Sequence, residues 1–341
     1  GELVAQGTSS SGITFTSAQD SKAAGDWGQI VFYDSSVDAS YDGNGDYASG
    51  SILEYCTVEY GSGLLLSKGN PFINQSTIRY HSSSGIKMDS WDSSNSGSTL
   101  KITNNTINNN TSSGNGGGVY VYGYGTVYVS GNTISNNIGS SGAGIRIGAP
   151  GTVYVSGNTI ENNKTGRYES YDGSFRIDGE GGGIDCSGSV GTQILNNVIK
   201  GNQSRDGGGI EGGSGTITGN TIINNTADER GGGFYYDGSS SSSSPFSNNF
   251  ILGNTASTGG GIYVQGAKDM TDNVIAGNTG GALYYQHEGY EGTVRFSSNT
   301  VFNNTGSPVV YLKAGGRESD ALLEVKNNTI VGNSGSPTVS L

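Results

Sequence analysis

The sequence predicts an all-β solenoid, a parallel β-helix of roughly 12 coils, on three observations. An asparagine recurs at Asn105, Asn132, Asn158, Asn197, Asn220, Asn249, Asn273, Asn299 and Asn328. Each has Ile or Val two positions on and a second Asn five positions on, from Asn110 to Asn333. Cys56 and Ser76 hold the first slot in two earlier copies, with Gly61 and His81 in the second. Successive copies lie 20 to 39 residues apart, most of them 23 to 29. Around each asparagine apolar and polar residues alternate, and the 61 glycines and β-branched strand residues oppose helix.

The alternation assigns faces. Val127, Val129, Asn132 and Ile134 point inward while Tyr128 and Ser130 point outward, which is a strand with one buried face. A further short strand follows each glycine cluster, as after Gly116–Gly118, Gly181–Gly183 and Gly259–Gly261. Glycine suits these corners because φ > 0 costs it little. Stacked coils bring equivalent residues into columns about 4.8 Å apart. Ile102, Val129, Val155, Ile194, Ile217, Phe246, Met270, Phe296 and Val325 form one inward column, and Ile107 to Ile330 another. The asparagines then bond amide to amide up the stack, holding the corners. Residues 1–50 are expected to form the first coils or a cap, and 51–341 one continuous repeat domain.

These motifs carry a resemblance. Asn-x-Ile-x-x-Asn followed by Gly-Gly-Gly-Ile resembles the right-handed parallel β-helix repeats of the pectate-lyase-like superfamily, over roughly residues 50–341. It is especially similar to the repeats of secreted and cell-surface adhesin-like proteins. The opening, Gly7-Thr, Ile13-Thr-Phe and Gly25-Asp-Trp27, resembles the first coils of such proteins. The resemblance implies a right-handed coil and an extracellular or cell-surface location. That superfamily holds lyases, hydrolases, epimerases and passive adhesins, so the resemblance leaves the activity open.

Composition narrows the partners. A net charge of −12 makes nucleic acid and anionic membranes poor partners. No run of eighteen apolar residues marks a membrane span. Cys56 and Cys186, roughly 20 Å apart at the coil spacing, are too distant for a disulfide. His81 occupies a ladder slot and reads as a corner residue, many coils from His287. Gly1 opens within a coil motif, so the expectation is a mature or trimmed chain. Pro337, Thr338 and Val339 begin another strand whose open edge needs a cap, a further domain or a neighbour.

Chemistry is expected on the outward positions of the strand after each glycine cluster, which read Lys87, Tyr120, Arg146, Asp185, Glu211, Tyr235, Tyr263, Tyr284 and Tyr311. The next outward column adds Asp89, Tyr122, Ser187, Asp237, Gln265, Gln286 and Lys313. Aromatic surface beside amides and carboxylates suits sugar rings; tyrosine also favours strands for its own sake. Asp185 and Glu211 fall on adjacent coils, carboxylates about 5 Å apart, the separation used by retaining glycosidases. Arg146 lies one coil away. The longest interval inserts residues 166–180 just before Asp185, and Arg205, Asp206, Asp228, Glu229 and Arg230 occupy equivalent loops. Separately, Asp42, Asn44 and Asp46 alternate in a glycine-rich loop like the start of many Ca²⁺ loops, although Tyr47 stands where the usual glycine would be.

Three functions follow. The leading one is a secreted or surface β-helix acting by binding or assembly, contacting polysaccharide or a cell-surface glycan through Tyr120, Tyr235, Tyr263, Tyr284, Tyr311, Asp237 and Gln265. The alternative is a polysaccharide lyase or glycoside hydrolase centred on Asp185, Glu211 and Arg146; Ca²⁺ at Asp42, Asn44 and Asp46 is a separate expectation. The third is a filament-forming structural protein. Self-association is expected through the outward column that turns apolar at Ile223, Leu252, Phe302 and Val331, or through the terminal coil.

Overall fold

The computed structural model describes residues 1–169, 175–189, 191–238, 244–287, 292–315 and 321–340. Residues 170–174 of the long insertion, and Leu341, lie outside this set. Three parallel sheets of 12 strands run the length of the chain, so the coil count read from the repeat holds. The first sheet runs from Val4–Gln6 to Ala321–Lys326, and the second from Ile13–Phe15 to Thr329–Val331. The third runs from Ile30–Tyr33 to Val339–Ser340. Residues 1–50 thus supply the first strand of every sheet. A small fourth sheet joins Ile138–Gly139, Lys164–Thr165, Gln203–Asp206 and Thr226–Arg230 in the loops between second and third sheets. No helix among the described residues is long and apolar enough to cross a membrane.

Two corners of each coil turn by one left-handed residue followed by an inward ladder residue. Before the first ladder these include Asn104 at φ 56° and Gly131 at φ 66°; before the second, Asn109 and Asn136, both at φ 56°. Asparagine and glycine tolerate this region best, which explains why the repeat so often reads Gly-Asn or Asn-Asn. The glycine clusters have a second reason beyond the bend. A Cβ on Gly144 would stand 2.4 Å from the Gly183 carbonyl oxygen, and one on Gly183 2.5 Å from that of Gly209. In these coils the loops stack too closely for a side chain at this slot, which Ala282 and Val309 fill further along.

The inward columns form one continuous apolar core. Ile107, Ile134, Ile160, Ile199, Ile222, Ile251 and Ile275 are fully buried and stack in register. Each such side chain contributes roughly 2 kcal/mol. Val325 keeps its register against Phe296 but is 45 % exposed in the last coil. Both asparagine ladders form: each amide donates to the carboxamide oxygen of the next coil, as Asn132 to Asn158 at 3.0 Å and Asn137 to Asn163 at 3.0 Å. The insertion leaves this intact, since Asn158 reaches Asn197 at 2.9 Å. His81 fills its slot as expected, Nδ1 accepting from the Gly61 amide at 3.2 Å. Cys56 and Cys186 are buried and free.

Candidate functional site

Backbone pairing on the third sheet places the outward residues in the column the repeat implies. Lys87 pairs with Tyr120, Tyr120 with Arg146, Arg146 with Asp185, Asp185 with Glu211 and Glu211 with Tyr235. Tyr263, Tyr284 and Tyr311 continue it, flanked by Asp237, Gln265, Gln286 and Lys313.

Asp185 and Glu211 are neighbours but not open to solvent. Asp185 is 1 % exposed and ion-paired with Arg146. Its Oδ1 also accepts from the Ser187 amide at 3.0 Å and hydroxyl at 2.8 Å. Burial raises its carboxyl, against the opposing pull of Arg146 and Ser187. Glu211 is 6 % exposed, and its Oε2 has no hydrogen-bond partner. Burial, then the charges of Asp185 and Glu180, push it up to about 10. At neutral pH Glu211 keeps its proton, while Asp185 has Arg146 and Ser187 as its partners.

A second layer of charge covers this column. Arg205 donates to Glu180 at 2.6 Å, Asp206 at 3.0 Å and Asp178 at 3.3 Å. Arg230 donates to both oxygens of the buried Asp206, at 2.9 and 3.0 Å. The Arg230 guanidinium lies 4.7 Å from the Tyr235 ring centroid and 5.5 Å from that of Tyr263.

The tyrosines therefore need a correction as an open aromatic surface. Tyr235 and Tyr263 are buried. The four rings stack on one another at 5.4, 4.7 and 4.6 Å, so their faces meet each other and only edges point outward. The hydroxyls of Tyr263 and Tyr284 donate along the strand to Gln265 and Gln286, at 3.4 and 2.9 Å, and that of Tyr235 to Asp237 at 3.3 Å. Tyr120 leans on Tyr122, 5.9 Å between centroids.

What lies open is a cleft of about 540 Å³ beside the insertion. Ser112, Ser113, Ser140 and Ser141, from loops of two preceding coils, line it opposite Asp178, Glu180 and Arg205. Glu180 thus joins the cleft to the Asp185–Glu211 column. The serines gave no signal in the sequence beyond their loop position.

The Asp42–Asp46 loop is the tip of a hairpin between Ser40–Tyr41 and Tyr47–Ser49. Asp42 Oδ1 accepts from the amides of Asn44 and Asp46, both at 2.9 Å. Lys101 places its ammonium on the Gly45 carbonyl. A lysine inside the loop and a carboxylate already serving the turn make a poor donor set for Ca²⁺. Among the described residues no group of three or more His, Cys, Asp and Glu is placed to hold a metal ion.

The family model described as "right handed beta helix region" matches residues 92–251 and 182–340. No curated protein and no solved structure matches the chain.

Proposed function

The chain belongs to the right-handed β-helix region family, and from that rigid stack we propose a secreted or surface-displayed binding protein that holds a glycan in the cleft over its longest insertion. The cleft itself carries the reading. Its volume, about 540 Å³, lies in the range of small-molecule sites. Four serines line it together with an arginine whose guanidinium is held by three carboxylates, so that arginine is pre-organised rather than recruited. Binding is favoured over turnover because Asp185 is committed to Arg146 and Glu211 is walled off behind Glu180. Assembly is the other half of the reading. Ile223, Leu252, Ala276, Phe302 and Val331 share one outward column beside the exposed Phe250, a surface suited to self-association.

The test is a glycan array followed by calorimetry, with and without Ca²⁺. Arg205→Ala and Ser140→Trp should each weaken binding at least tenfold; unchanged affinity in both removes the cleft as the site. One observation favours a second reading, polysaccharide cleavage: a protonated Glu211 next to the arginine-paired Asp185 resembles the two-carboxyl arrangement glycosidases use. Products from a polysaccharide panel, lost in Glu211→Gln and Asp185→Asn, would establish it.

A further inference from the structure

A second cleft, of about 490 Å³, lies on the outer face of the first sheet, several coils before the insertion. Its floor is a column of polar side chains, one per coil: Gln6, Glu54, Asn74, Thr103 and Ser130. These are tied together. Glu54 accepts from the amides of Gln6 at 3.0 Å and Asn74 at 2.7 Å, one on each oxygen. Asn74 in turn accepts from the Thr103 hydroxyl at 2.9 Å. The wall is the hairpin at 40–49, which leaves the corner between third and first sheets and folds back over this face. Tyr47 stacks on Phe72 at 5.8 Å and 15°. Lys101 pins the hairpin, 2.5 Å from the Gly45 oxygen and 3.9 Å above the Tyr41 ring.

The lining decides what fits. Glu54 and Asp46 outnumber Lys101, whose ammonium is already engaged, so phosphate, uronate and nucleic acid are disfavoured. A wholly apolar guest would bury carboxylate and amide groups without new partners. An uncharged sugar meets both demands, its C–H face against Tyr47 and Phe72 and its hydroxyls toward Glu54, Asn74 and Thr103. We propose that this hairpin cleft is a second, independent binding site for a short uncharged oligosaccharide.

The experiment titrates the full chain with uncharged gluco-, manno- and galacto-oligosaccharides by calorimetry. At least one should bind, with a tenfold or greater loss in Tyr47→Ala and a smaller loss in Glu54→Gln. Because Tyr47→Ala could loosen the hairpin, Ser130→Tyr, which fills the floor from the sheet, must also abolish binding. Binding by none of the panel, or binding unchanged in Tyr47→Ala and Ser130→Tyr, overturns the inference. Loss in Arg205→Ala with retention in Tyr47→Ala assigns the ligand to the insertion cleft: the proposed function then stands and this inference falls. The opposite pattern supports the hairpin site and removes the insertion cleft.

Discussion

Replacing Asn158 with alanine tests the ladder on which every column depends. Its amide donates to the Val129 carbonyl at 2.8 Å and to Asn197 Oδ1 at 2.9 Å. Its own Oδ1 accepts from the Asn132 backbone amide at 2.9 Å and side chain at 3.0 Å. Asn132 Nδ2 still has the Ile102 carbonyl and Asn197 Oδ1 still has the Asn158 amide. The groups that lose this bond without such a substitute are the Val129 carbonyl and the Asn132 amide. Two buried polar groups losing partners at about 1–3 kcal/mol each give a loss of roughly 2–6 kcal/mol. Serine should do better, because the chain already uses it: Ser76 Oγ in the equivalent slot accepts from the Cys56 amide at 3.0 Å. Asn158→Ser is expected to cost about 1–2 kcal/mol, having kept the acceptor and lost the reach. Urea unfolding followed by circular dichroism gives the totals. Hydrogen exchange at the Asn132 amide shows whether the loss is local, as contacts between neighbouring coils require. An alanine variant within 1 kcal/mol of the parent, or a serine variant as damaged as alanine, would refute the reasoning.

Four other outcomes are expected. Glu211→Gln should raise stability at pH 7, since the amide spares the fold the proton that Glu211 must take up, whereas Asp185→Asn should cost about 3–5 kcal/mol by orphaning Arg146; thermal melts of both variants decide it. The folded state keeps the Glu211 proton up to about pH 10 while the unfolded chain releases it near the ordinary 4.5. This term therefore weakens stability as pH rises through that window, and a pH series of melts should lose this slope in Glu211→Gln. Lys268 works the other way: it is fully buried, held by Gly213 O, Gly215 O and Ser244 Oγ, and burial lowers it from 10.5 to about 8. The unfolded chain binds the extra proton between these values, so this term strengthens the fold by about 3 kcal/mol from pH 8 to 10.5; Lys268→Met should show no such rise in the same series. Light scattering should show mass increasing with protein concentration, and Leu252→Glu with Phe302→Glu should hold the protein monomeric; a parent of constant mass removes self-association through that column.

What could be read in the sequence was what repeats. Asn132 and Ile134 imply their partners 26 residues on because stacking forces identical environments on identical slots. The order Arg146, Asp185, Glu211, Tyr235 followed from the same arithmetic, and the backbone pairing agrees with it. Exposure was not legible, because it depends on loops that do not repeat. Nothing in the alternation shows that Arg230, reached through Asp206, would lie over Tyr235 and Tyr263, or that Glu180 would sit against Glu211. The Asp42–Asp46 spacing suggested a cation loop, yet Lys101, far away in sequence, supplies the positive charge there. Lys268 gave no signal at all, since an inward lysine breaks the pattern that identifies inward positions.

Both clefts arise in one way. Gly166 and Asp178–Glu180 of the long interval line one cleft and the hairpin at 40–49 walls the other, while the inward ladder passes beneath undisturbed. The stack tolerates this because a longer loop adds closure entropy only slowly, while the ladder bonds depend on neighbouring coils rather than on loop length. The 39 residues between Asn158 and Asn197 leave the backbone amide of Asn158 2.9 Å from Asn197 Oδ1, the same as the Asn197 amide from Asn220 Oδ1 across 23. Sites on this chain are therefore to be sought where the interval lengthens, and outward residues acquire roles only when such a segment comes to rest against them. Tyr128 and Tyr154, stacked at 5.0 Å on the first sheet, show the simpler use of the same side chain in the same kind of column, which is to bind one coil to the next.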